Sequence, residues 1–81
     1  MRIRPLKARL GKYLIRHNLT TKFEKQCKLL LQNYSHPSLN IELMEPKKLG
    51  NYSFRIDRKY RAVFISLGEE IEIIDVNNHY R

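Results

Sequence analysis

Between Ser53 and Ile65 the sequence SFRIDRKYRAVFI alternates apolar with polar or basic residues, breaks at Asp57 to Lys59, and resumes at Tyr60. Successive side chains of a β-strand point to opposite faces. The first arm therefore sets Phe54 and Ile56 on one face and Ser53, Arg55 and Asp57 on the other, and the second arm returns as the next strand. Such a pattern demands an antiparallel hairpin, and it places Arg55 and Arg61 on a sheet surface instead of in a loop. A guanidinium is planar, permanently charged and suited to two-point contact with phosphate oxygens. Two of them on neighbouring strands grip a phosphate from two directions, which points to a nucleic-acid ligand. The plainer alternative for Arg61 is an ion pair with Asp57 or Asp75.

Upstream of this hairpin the apolar period is helical. Leu6, Leu10, Tyr13 and Leu14 recur at i, i+4, i+7 and i+8, and Pro5 suits a first turn, so a helix is expected over residues 5–16. Thr21 with Glu24 three residues later reads as a capping box that opens a second helix, with Asn18 as an alternative cap. The stripe to be buried is Leu19, Phe23, Cys27, Leu30 and Tyr34. Pro37 disfavours helical geometry at His36 and ends it. From Leu39 the period becomes two: Asn40 to Leu43 alternate, and Tyr52–Asp57, Tyr60–Leu67 and Glu70–Val76 follow with short connections at Arg58-Lys59 and Gly68-Glu69. Short connections imply antiparallel neighbours. The expected architecture is one α+β domain over residues 1–81, its N-terminal helical hairpin packed on one face of a three- to four-stranded antiparallel sheet, with the other face uncovered.

Charge narrows the ligand further. The net charge is +8, and residues 1–33 carry nine Lys or Arg against a single Glu, while residues 34–81 hold seven of each sign. Within that balanced half, Lys47, Lys48, Arg55, Arg58, Lys59 and Arg61 cluster against Asp57, and the remaining carboxylates lie outside that run. A cationic cluster on a sheet surface suits a polyanion. No apolar run approaches the roughly 20 residues of a bilayer span, and the basic N-terminus lacks the apolar segment of a signal peptide. One cysteine, Cys27, allows neither an intramolecular disulfide nor a cysteine-rich zinc site. A cytoplasmic protein without membrane association, metal or cofactor is expected. His17 reads as a helix-end residue, His36 as a turn residue, and Cys27 as core.

The helical hairpin, the HPSL segment, the KLG turn, YSFRIDRKYRAVF and the closing IIDVNNHYR together resemble the RelE/ParE superfamily of bacterial toxin–antitoxin toxins, from about Lys7 to His79. The resemblance implies the toxin of such a pair: a ribosome-associated mRNA endoribonuclease in which the 2′-OH attacks the adjacent phosphate without a metal. Its partners would be mRNA, the ribosome and a cognate antitoxin protein docked on the uncovered sheet face. By position, the resemblance assigns Arg61 to phosphate contact, Arg55 to a supporting cation, and His79 to proton transfer. Lys47, Lys48, Arg58, Lys59, Tyr80 and Arg81 would contact RNA, Tyr80 standing in for the C-terminal tyrosine of such toxins. Ser53 occupies a position that often carries a second lysine, which would thin the cationic site. Two other functions remain open: a ParE-like or catalytically inactive homologue that occupies a protein target, and a basic RNA- or ribosome-binding module.

Overall fold

Leu10 and Leu14 on the first helix, Leu19 just ahead of the second and Phe23 and Leu30 on it turn inward onto a sheet in the computed structural model, which describes residues 1–78. In chain order the elements are β1 (Arg2–Ile3), α1 (Ala8–Arg16), α2 (Thr20–Gln32), a 3₁₀ turn (Pro37–Leu39), β2 (Glu42–Leu43), a second 3₁₀ turn (Lys47–Leu49), β3 (Tyr52–Arg55), β4 (Arg61–Leu67) and β5 (Glu70–Asn77). The strand order is β1-β5-β4-β3-β2, with β1 parallel to β5 and every other neighbour antiparallel. The sheet is therefore five-stranded and mixed, which corrects the expected three to four antiparallel strands. The extra strand is two residues long, too short to show a period. It is held by backbone bonds from Arg2 and Arg4 to the carbonyls of Glu69 and Ile71, and by Arg2 and Arg4 pairing with Glu70 at 2.8 and 3.1 Å.

The junction between the helices is set by Asn18, which adopts φ 58. Its backbone N–H donates to Ile15, and that of Leu19 donates to Leu14, closing a Schellman motif whose two leucines are both buried. Asn18 thus ends α1 and does not cap α2. Helix α2 starts at Thr20 with no side-chain cap, so the Thr21–Glu24 box does not form. It stops at Gln32, which leaves Tyr34 beyond the helix and 72 % exposed, outside the core expected for it.

Phe54, Ile56, Ala62, Phe64, Ile71, Ile73 and Val76 supply the sheet's side of the core. Val63 lies opposite Asp75 while Phe64 lies opposite Ile73, so Ile74 is the extra residue of a bulge. That insertion keeps Ile73 and Val76 on the same buried face despite their spacing of three. The second face carries no helix among the described residues, yet it is not bare: Ser53, Arg61 and Val63, which alternate with the core residues, are buried there.

Candidate functional site

The register of β3 and β4 makes Arg55 and Arg61 direct cross-strand partners, and strand alternation puts both on the helix-free face. Their environments differ. Arg55 is exposed, whereas Arg61 retains 7 % of its surface. Arg61 lies sideways across β3: its Nε donates to Ser53 Oγ at 3.0 Å, and its Nη2 donates to the Ser53 carbonyl at 3.2 Å and to the carbonyl of Asn40. The Glu42 carboxylate stands 3.8 Å from Nη2, on β2 opposite Ser53. A buried guanidinium needs such a full set of acceptors, because its charge cannot be shed by deprotonation. Asp57 and Asp75, the other carboxylates considered for it, pair instead with Lys22 and Arg9, at 3.4 and 3.8 Å. Ser53 is not a gap in the cationic site but the hydroxyl that seats its arginine.

The connection from β3 to β4 builds one wall. Asp57 Oδ1 accepts from the backbone N–H groups of Lys59 and Tyr60 at 2.8 and 2.9 Å, an Asx-type turn that fixes Arg58 and Lys59 at the cleft rim. Burial pushes the Asp57 carboxyl up, but those two N–H donors and the Lys22 ammonium outweigh it and hold the group below the usual carboxylate range. Tyr60 anchors the same turn to α1, its hydroxyl 3.2 Å from His17 Nδ1, with Tyr13 packed against both rings.

Opposite stands the segment after α2. His36 accepts from the Ser38 N–H through Nδ1, the role expected of a turn residue. Leu39 is fully buried, and Asn40 turns the chain at φ 45, so that its carbonyl reaches Arg61. Between the walls is a cleft of about 130 Å³ lined by Asn40, Glu42, Arg55, Asp57, Arg58, Lys59 and Arg61. Four cations face two carboxylates there, an excess positive charge suited to a phosphate. Arg55, Arg58, Lys59 and Arg61 are thus brought together. Lys47 and Lys48 are not: they occupy the 3₁₀ turn between β2 and β3 and do not line the cleft. His79, Tyr80 and Arg81 lie outside the described residues. Cys27 is half-buried, and burial, with a further contribution from Glu24, pushes its thiol up to about 12, an unreactive side chain.

Glu42 and Asn40 are cleft residues that the sequence reading left unassigned. For Glu42 the signal was the alternation Asn40-Ile41-Glu42-Leu43, and the missing information was that β2 borders β3 at Ser53; Asn40 precedes β2 in a left-handed turn and meets Arg61 through its carbonyl, which a period of two does not place.

No protein-family model and no curated protein matches the sequence. Solved structures do match its shape. A YoeB/ParE toxin from Agrobacterium tumefaciens superposes with a TM-score of 0.71 at 17 % identity, over 99 % of this chain and 100 % of that one. YafQ from E. coli strain BL21(DE3) gives a TM-score of 0.73 at 10 % identity, over 96 % and 90 % of the two chains. YoeB in the YoeB-YefM complex from Staphylococcus aureus gives 0.72 at 23 % identity, over 96 % and 95 %. At these identities the likeness is one of fold, and it is the fold anticipated from the RelE/ParE resemblance: the chain is built as the YoeB/ParE-type toxins are.

Proposed function

We propose that this protein is the toxin of a toxin–antitoxin pair and cleaves mRNA on the ribosome by attack of a 2′-OH on the adjacent phosphate. The observation that carries the reading is Arg61, a guanidinium buried and held in place beside the exposed Arg55 in a cleft that also contains a carboxylate. Fixed cations stabilise the added charge of a phosphorane without reorganising during the reaction, which is the term that dominates many active sites. Arg61 contacts a phosphate oxygen, with Arg55, Arg58 and Lys59 screening the flanking phosphates. Glu42 accepts the 2′ proton as the new P–O bond forms. As the bond to the 5′ oxygen breaks, that oxygen takes a proton from His79, leaving a 2′,3′-cyclic phosphate and a 5′-hydroxyl. The role of His79 is the one that the RelE/ParE resemblance implies.

An antitoxin partner is inferred from the fold shared with YoeB, solved in complex with YefM and described there as a toxin–antitoxin assembly. Such a partner would cover the cationic cleft with carboxylates. Expression without it should arrest growth, and primer extension on mRNA from induced cells should show new 5′ ends, those of the downstream cleavage fragments. Arg61→Ala should lower the cleavage rate by roughly 10²- to 10³-fold, the loss seen when one preorganised charge-stabilising donor is removed. Arg61→Lys, which keeps the charge but not the fork, should recover little of it. Growth arrest with intact mRNA would favour a toxin that occupies a protein target, and an undiminished Arg61→Ala variant would remove the arginine from the mechanism.

A further inference from the structure

Three polar or charged side chains are buried among the described residues, Gln26, Ser53 and Arg61. Two of them, Ser53 and Arg61, are hydrogen-bonded to each other, and Arg61 lines the cleft. The third, Gln26, lies on α2, on the opposite side of the sheet, where the stripe Phe23, Cys27 and Leu30 calls for an apolar residue. Burying an amide is unfavourable unless its hydrogen bonds are remade, and Gln26 remakes them in a specific way. Its Nε2 donates to the carbonyl of Arg55 at 2.8 Å and to the carbonyl of Ser38 at 3.3 Å. Arg55 ends β3 and forms one wall of the cleft. Ser38 lies two residues before Asn40, whose carbonyl holds Arg61 from the other wall. One side-chain nitrogen therefore ties both walls to a single point on α2.

We infer that Gln26 is a positioning residue: it sets the separation of the Arg55 and Asn40 walls and so holds Arg61 in its seat, although it never meets the ligand. This rests on the reading of the cleft as an RNA-cleaving site only for its effect on rate; the effect on Arg61 stands apart from it.

Gln26→Met keeps the side-chain length and removes both donors, and Leu30→Val, on the same helix but away from the cleft, serves as the control for lost packing. The first measurement needs no RNA: exchange of the Arg61 Nε–H, bonded to Ser53, followed by NMR with the exposed Arg55 Nε–H as reference in the same spectrum. Gln26→Met should raise the relative exchange of Arg61 at least about ten-fold, while Leu30→Val leaves it as in the wild type. The second is single-turnover cleavage at saturating RNA, measured below the melting temperature of each variant. A catalytic group displaced by about 1 Å loses on the order of 10²-fold, so Gln26→Met should cleave some 10- to 100-fold slower with RNA affinity within about three-fold of the wild type.

Should Gln26→Met fail to fold, Gln26→Glu replaces it. A glutamic acid donates to one carbonyl and only when protonated, so protection of Arg61 relative to Arg55 should rise as pH falls, a trend the wild type lacks. Unchanged Arg61 protection, or equal losses in Leu30→Val, would overturn the inference. A wild type that never cleaves RNA, with Arg61 protection still lost in the Gln26 variants, would sink the nuclease reading and leave the positioning role intact.

Discussion

Asp57 shows how one carboxylate serves both the turn and the layer beneath it, since Oδ1 shapes the Arg58-Lys59 rim and Oδ2 meets Lys22 on α2. Because its pKa is depressed in the folded protein, the stability it contributes is complete above the unfolded carboxylate pKa of about 3.9 and is lost as pH falls through the lower folded value. Melting curves from pH 6 to pH 2 should therefore show a loss of stability beginning near pH 4 that is smaller in Asp57→Asn. That variant keeps an acceptor for the turn and forgoes the charge. If both proteins fall in parallel, Asp57 carries none of the acid sensitivity. At this scale the sequence showed which face each arginine occupies, because a period of two decides that locally. It did not show that Arg61 is buried. Its acceptors, Ser53 and the Asn40 carbonyl, come from a neighbouring strand and from a turn that folds back over it, and neither contact leaves a local trace.

Among the elements, the β4–β5 hairpin is the one whose chemistry was most plainly written. Leu67 pairs with Glu70 across the two residues Gly68 and Glu69, and Gly68 has φ 71. A positive φ at the first central residue, with none at the second, is the pattern of a type II′ turn, which suits the right-handed twist of the strands it joins. Gly68→Ala should cost about 1 kcal/mol, the order of the penalty for an L-residue in the left-handed region, although a Cβ there would meet open space. Chemical denaturation measures it: the midpoint should drop at constant slope, and an unchanged midpoint would mean that the turn relaxes at no cost. The helices were legible in their buried leucines, while their ends were misplaced. Thr21 and Glu24 have the spacing of a capping box, but the Schellman closure of α1 through Asn18 and Leu19 brings α2 in two residues early and leaves Thr21 inside the first turn. β1 was underestimated for a different reason, since its partner strand lies at the far end of the chain and two residues carry no periodic signal.

For the whole molecule the division of charge says more than its total. Of the nine cations in residues 1–33, five are matched across the layers: Arg2 and Arg4 to Glu70, Arg4 and Lys7 to Glu72, Arg9 to Asp75 and Lys22 to Asp57. The front half thus uses the carboxylates of the back half, so its +8 is largely an internal complement to the sheet and not a ligand surface. The local excess at the cleft is what remains for a polyanion. Binding of single-stranded RNA should weaken with salt by about 0.7 in log–log slope per phosphate neutralised. Replacing Arg55, Arg58 and Lys59 together with Gln should accordingly lower the slope by about 2, while the same change at Lys12, Lys25 and Lys28 on the helices leaves it unaltered. The reverse outcome would move the RNA to the helical face. Arg61, meanwhile, is already seated by Ser53 and Asn40, its rotamer fixed within the chain. On the proposed function, restraint would then fall to a partner laid over the cleft or prising Asn40 away, and the ratio of that partner to this chain would set how much of the population can act.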